Sequence, residues 1–115
     1  MQLTEQQIQE YDQAGYLFFP NAFSADETKV LKQAAATVYR EHRDEVWREK
    51  SGVARTAFAA HTYNDAFRRL VAHPRLINPV MQLLDGPVYI HQYKVNAKAA
   101  FDGDVWQWHQ DYGTW

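Results

Sequence analysis

Up to Gly86 the apolar positions recur mainly at helical spacing, and after Pro87 they alternate. Thr4 and Gln7 form a capping box ahead of the first helical stretch, with Leu3 placed to staple onto Ile8. Gly15 supplies the position just past that helix. The aromatic run Tyr16-Leu17-Phe18-Phe19, closed by Pro20, predicts a short buried strand. A second capping box, Ser24 with Glu27, opens a longer helix on which Leu31, Ala34, Ala35, Val38 and His42 share a face. The pattern carries this helix to Trp47 or Lys50, before Ser51-Gly52, with the charged stretch from Arg40 as a solvated face. Gly52 to Tyr63 is weakly periodic and reads as a loop or short irregular strand. Asn64 is placed to cap a short helix through Phe67, Leu70 and Val71, and Pro74 to start a further turn. Asn78 and Pro79 suit the N-cap and first position of a helix that buries Met81 and Leu84 and stops at Asp85-Gly86.

Val88 to Asn96, rich in Val, Ile and Tyr, predicts a strand. Asp102-Gly103 marks a turn, and Val105 to Asp111 predicts another strand. Helices first and strands last give an α+β order, and residues 1–115 read as part of one domain, without repeats or a linker.

Composition narrows the function classes. With 46% hydrophobic residues in 115, the chain has material for the core of one small domain. A net charge of −2 without a basic stripe argues against nucleic acid as a partner. No cysteine is present, which excludes disulfides, thiolate metal sites and cysteine nucleophiles. The opening MQLTEQQIQEYD is polar and acidic, unlike a signal peptide, and no apolar run reaches the length of a membrane span. A soluble, cytoplasmic protein is expected. The aromatic segment Trp106 to Trp115 runs to the last residue, which reads as an interruption and predicts a fragment of a longer domain.

The residues with the clearest chemistry are His109-Gln110-Asp111. On a strand, positions two apart project from the same face, so an imidazole and a carboxylate would stand side by side. Two His and one carboxylate on one face of a metal, with open positions opposite, is the arrangement of non-haem Fe(II) oxygenases. The letters alone are a weak signal, since short motifs arise by chance. His42-Arg43-Asp44 fits them too, but falls in the charged helical stretch, where residues two apart diverge. In the preceding predicted strand, Val88, Ile90, Gln92, Lys94 and Asn96 share a face that changes from apolar to polar. A carboxylate-bearing ligand would satisfy that row, with Lys94 as the charge and Asn96 as a donor; a solvent-facing edge strand is the plainer account. Trp106, Trp108, Tyr112 and Trp115 flank the His-Asp pair as core or as pocket wall. His61, His73 and His91 have no convincing ligand partner and read as surface or core residues.

The whole chain resembles the phytanoyl-CoA dioxygenase family, which includes ectoine hydroxylase. The likeness runs from LTEQQIQEYDQAGYLFFPNAF through HPRLINPVMQLLDGPV to HQYKVNAKAAFDGDVWQWHQDYGTW. The last stretch carries most of it: Gln92 with Asn96, then Trp106, Trp108, His109 and Asp111, then Thr114-Trp115.

The resemblance implies N-terminal helices fronting the first strands of a double-stranded β-helix (jelly roll), here truncated. It implies Fe(II) held by His109 and Asp111. It also implies 2-oxoglutarate as co-substrate, contacted by Asn96, Lys94 and Trp106, with Gln92 and Trp115 facing the prime substrate. The implied reaction couples oxidative decarboxylation of 2-oxoglutarate by dioxygen to hydroxylation of an unactivated C–H bond in a small molecule or acyl-CoA. An Asp retained at 111 points to hydroxylation, because related halogenases carry a small residue there. The family's third ligand, a downstream His, and the Arg beyond it have no counterpart in these 115 residues. Tyr93-Lys94-Val95 stands where ectoine hydroxylases carry Ser-Arg-Ile, and Gly113 where they carry an acidic residue, which counts against ectoine as substrate. The alternative reading is a non-catalytic fragment or remnant binding module of the same fold.

Overall fold

The computed structural model describes residues 1–103, 105, 107–110 and 112. Local capping chemistry sets the helices. Helix α1 (Glu5–Ala14) opens on the expected box, in which Thr4 Oγ1 accepts from Gln7 N and Gln7 Oε1 accepts from Thr4 N. It closes on Gly15 in the left-handed region (φ 78°), where a side chain would be strained. Helix α2 (Ala25–Arg40) opens on the second box, Ser24 with Glu27. Its face of Leu31, Ala34, Ala35 and Val38 turns to the core as its spacing requires.

α2 stops at Arg40, well short of the expected end at Trp47 or Lys50. The charged residues after it carry no periodicity that could mark a boundary. Arg48 folds back instead, donating to the terminal carbonyls of Tyr39 (2.9 Å) and Glu41 (3.1 Å), groups a helix end leaves without partners. His42, Arg43 and Asp44 therefore lie in a connecting loop and not on a helix.

Three short strands follow: β1 (Val46–Arg48), β2 (Ala54–Phe58) and, much later, β3 (Lys94–Asn96). They form an antiparallel sheet in the order β1-β2-β3. Between β2 and β3 lie α3 (Ala60–Tyr63), α4 (Asp65–Val71) and α5 (Pro74–Leu83). Asn64 caps α4 as expected, its Oδ1 accepting from Ala66 N and Phe67 N. One helix, α5, replaces the expected turn at Pro74 and separate helix from Pro79. Its N-cap is His73, whose Nδ1 accepts from Arg75 N at 3.1 Å, with Pro74 in the first turn and Pro79 inside the helix and buried. Met81 and Leu84, expected inside, are exposed.

The core is small. Val38 of α2, Val46 of β1, Ala57 of β2, Ala60 of α3 and Phe67 of α4 meet there, and Tyr93 and Val95 pack against them. Tyr16–Phe19, expected as a buried strand, has no ladder partner among the described residues, and Phe18 is 80% exposed. The described fold is thus α+β, helices followed by three antiparallel strands with further helices between them. Among the described residues no helix is long and apolar enough to cross a membrane.

Candidate functional site

Sheet register divides the side chains into two faces. Val46 pairs with Ala57 and Ala57 with Val95, and this row points into the core. The neighbouring positions project from the opposite face because side chains alternate along a strand. There Trp47 pairs with Thr56, Thr56 with Asn96, and Phe58 with Lys94. The Trp47 and Phe58 rings meet edge to face at 4.7 Å, and Lys94 Nζ lies 5.8 Å from the Phe58 ring centroid. Gln92, just before β3, lines a depression with Trp47, Phe58, Asp44 and Glu45.

The three residues expected to share a ligand-facing row are thus set around one aromatic pair. The route differs from expectation. Only Lys94–Asn96 forms a strand, and Val88 to Tyr93 is irregular, anchored where Tyr93 O accepts from Ala59 N at 2.9 Å. Alternation places Lys94 and Asn96 together, and Gln92 reaches the same side from the preceding segment.

Charge is unevenly spread across this face. Lys94 and Asn96 bring a cation and an amide to it from β3. From the β1 side, across Phe58 from Lys94, the Glu45 carboxyl is held below the usual carboxylate range by hydrogen bonding to its own backbone N–H and by Arg43, so it is ionised. The face thus carries both a cation and, beside Gln92, carboxylates.

Thr56 was not legible in advance. It is the buried polar residue among those described, 2% exposed, and its hydroxyl donates to Asn96 Oδ1 at 3.0 Å. A lone Thr in a weakly patterned segment gives no signal, and only the register of β2 against β3 brings it to Asn96.

His109 is exposed, with Nδ1 2.7 Å from the carbonyl oxygen of Gln107. A carbonyl can only accept, so Nδ1 carries the hydrogen of this contact. Metal-ligating histidines commonly donate their other ring N–H to a backbone carbonyl in this way. Of the strand expected over Val105 to Asp111, the described residues 105 and 107–110 are irregular. Asp111, Trp106 and Trp115 lie outside the described residues. Among the described residues no three His, Asp or Glu side chains converge on a metal position. Of the other histidines, His73 caps α5 and meets Phe23 edge to face (5.7 Å), His61 lies against Tyr93 (5.1 Å), and His91 is exposed.

Residues 11–115 match the family described as phytanoyl-CoA dioxygenase. The chain belongs to the phytanoyl-CoA dioxygenase family. Within that family it is 39% identical over 106 residues to an L-proline trans-4-hydroxylase from Streptomyces griseoviridis, covering 91% of this chain and 40% of that protein. It is 35% identical over 118 aligned positions to an ectoine dioxygenase from Bordetella parapertussis, covering 98% of this chain and 38% of the other. The crystal structure of EctD from S. alaskensis with 2-oxoglutarate and 5-hydroxyectoine superposes with a TM-score of 0.89 at 32% identity, over 98% of this chain and 42% of that one. The chain spans about two-fifths of the length of these dioxygenase-family relatives.

Proposed function

We propose that this chain forms the N-terminal part of an Fe(II)- and 2-oxoglutarate-dependent dioxygenase that hydroxylates an unactivated C–H bond of a small molecule or acyl-CoA in the cytoplasm. Residues 1–115 belong to a single domain in this reading. The three-stranded sheet begins a double-stranded β-helix whose remaining strands lie outside this sequence. His109 and Asp111 hold the iron, together with a third ligand that these residues do not include, since no His follows His109. Asn96, Lys94 and Trp106 contact 2-oxoglutarate, and Gln92 and Trp115 face the prime substrate.

The observation that carries the reading is the face shared by Gln92, Lys94 and Asn96, turned away from the core around Trp47 and Phe58. A dicarboxylate needs a cation and N–H donors at one end, and Lys94 and Asn96 bring both within one strand. Family membership and the contact of His109 Nδ1 with the Gln107 carbonyl support the same assignment. Iron, when bound, supplies a Lewis acid and redox centre at which 2-oxoglutarate and dioxygen meet. The protein's own part is to orient the co-substrate through Asn96 and Lys94, to aim Nε2 of His109 through the Gln107 carbonyl, and to exclude water with the neighbouring aromatics.

Titration of manganese, then 2-oxoglutarate, into the protein tests this. Saturable metal binding is expected, strengthened by 2-oxoglutarate. His109→Ala and Asp111→Ala should each weaken it by at least about tenfold, since even outer-shell partners of a metal cost that much. Binding that neither substitution changes would overturn the metal assignment, and indifference to 2-oxoglutarate would overturn the co-substrate assignment.

A further inference from the structure

We infer that Thr56 is a positioning residue that fixes which way the Asn96 amide faces, so that its NH2 group is offered to the co-substrate; this rests on the role proposed for Asn96 above. Asn carries one acceptor and one two-hydrogen donor on a terminal torsion that turns freely unless something holds it. An anionic ligand is served by only one of the two orientations, because the amide oxygen turned outward would repel a carboxylate. On an exposed strand the amide would sample both.

The sheet removes the choice. Thr56 and Asn96 are directly paired across β2 and β3, and the hydroxyl of Thr56 donates to Asn96 Oδ1 at 3.0 Å. Thr56 is 2% exposed while Asn96 is exposed, so the bond is made at the buried end of the amide and the outer end is left to Nδ2. Trp47 is paired with Thr56 on its other side, from β1. A β-branched side chain suits the task, since χ1 of Thr is stiff and its hydroxyl is aimed by the backbone. With the hydroxyl committed to Oδ1, Nδ2 projects on the face that also carries Lys94.

Nuclear magnetic resonance of the Asn96 side-chain amide reads this directly. Without ligand, both Nδ2 protons of the wild-type protein should exchange rapidly with solvent. One proton protected from exchange would mean that Nδ2 donates to Thr56, and would overturn the inference. Titration of 2-oxoglutarate, with zinc as a diamagnetic stand-in for iron, should shift the Asn96 Nδ2 resonances. Thr56→Val keeps the shape without the hydroxyl and should weaken 2-oxoglutarate binding about 3- to 10-fold, the equivalent of one hydrogen bond. Thr56→Ser, which restores the hydroxyl, should return binding to within about twofold of wild type. Equal affinity in wild type and Thr56→Val, or a Thr56→Ser protein as weak as Thr56→Val, would overturn the positioning role alone. A wild-type Asn96 amide that ignores 2-oxoglutarate would overturn the ligand role of Asn96, and the inference would fall with it.

Discussion

The side-chain amide of Gln82 pairs with the backbone of Leu3 as a neighbouring strand would: Oε1 accepts from Leu3 N at 2.8 Å and Nε2 donates to Leu3 O at 3.0 Å. The two residues are 79 positions apart, and the pair ties the segment before α1 to the end of α5. Leu3 is itself buried, so these backbone groups would otherwise lose water without gaining a partner.

Gln82→Ala should therefore destabilise the protein by about 1–2 kcal/mol, the range for two modest hydrogen bonds. Gln82→Glu should do at least as much damage, because it sets a carboxylate oxygen against the Leu3 carbonyl. Hydrogen exchange at the amides of Leu3 and α1 should accelerate in both, and unchanged protection there would refute the tie.

Acid should loosen the N-terminus of α2 from that of α5. Arg75 donates through its guanidinium to the Glu27 carboxylate and to Ala22 O, and lies over the Phe23 ring at 4.5 Å. Arg75, together with the backbone N–H of Ser24, lowers the Glu27 carboxyl from its ordinary 4.5 to about 2. Because the folded value is the lower one, this group's stabilisation is complete above about pH 4.5 and is lost as pH falls to about 2. Urea midpoints measured across that window should fall with acid in the wild type and flatten in Glu27→Gln. Ser24→Ala, which removes the cap itself, should cost about 1 kcal/mol at neutral pH.

Val38 and Leu84 make a matched contrast. Val38 is fully buried at the centre of the core, whereas Leu84 is 66% exposed just past α5. Val38→Ala should cost about 2 kcal/mol, by lost transfer energy and an unfilled cavity. Leu84→Ala should stay within about 0.5 kcal/mol. Comparable losses at both positions, read from chemical denaturation, would mean that Leu84 is buried.

Gly103 closes a turn in which its N–H donates to Ala99 O at 3.1 Å. A Cβ there would lie 2.8 Å from Lys98 Cδ and 3.2 Å from Ala99 O. The lysine can swing away, and the backbone carbonyl must give by a few tenths of an ångström, so Gly103→Ala should shift the backbone and cost about 1–3 kcal/mol. At Gly52 nothing stands within 4 Å, and Gly52→Ala should cost only the strain of its φ of +91°, about 1 kcal/mol. Backbone chemical shifts around residues 97–103 should move in the first variant and remain in the second.

What the sequence disclosed was the chemistry that acts over three or four residues. Both capping boxes, the Gly15 terminus and the Asn64 cap form as expected, because each pairs a side chain with a backbone group one turn away. Structure departs from local pattern where pairing is distant. Val46–Arg48 continues the helical pattern in sequence, but its strand character lies in a partner, Ala54–Phe58, and not in its own three residues. Tyr16–Phe19 has strand composition without a neighbouring strand to pair with among the described residues. Pro79 looked like a start because proline favours first turns, but His73 and Pro74 had already supplied a better one. At the candidate site the alternation of Lys94 and Asn96 was visible, whereas the contribution of Thr56 depended on register alone.

The spacing of the strands along the chain also sets when the candidate face is completed during folding. β1 and β2 are joined by a short connection and close on one another cheaply, whereas Thr56 must wait for Asn96, 40 residues on. Loop-closure entropy adds about 0.6 kcal/mol per doubling of that distance, so the third strand joins at a cost the first hairpin escapes. The ligand-facing row is therefore a late-assembling part of the sheet, and a co-substrate that engages Asn96 would favour chains in which this last pairing has been made.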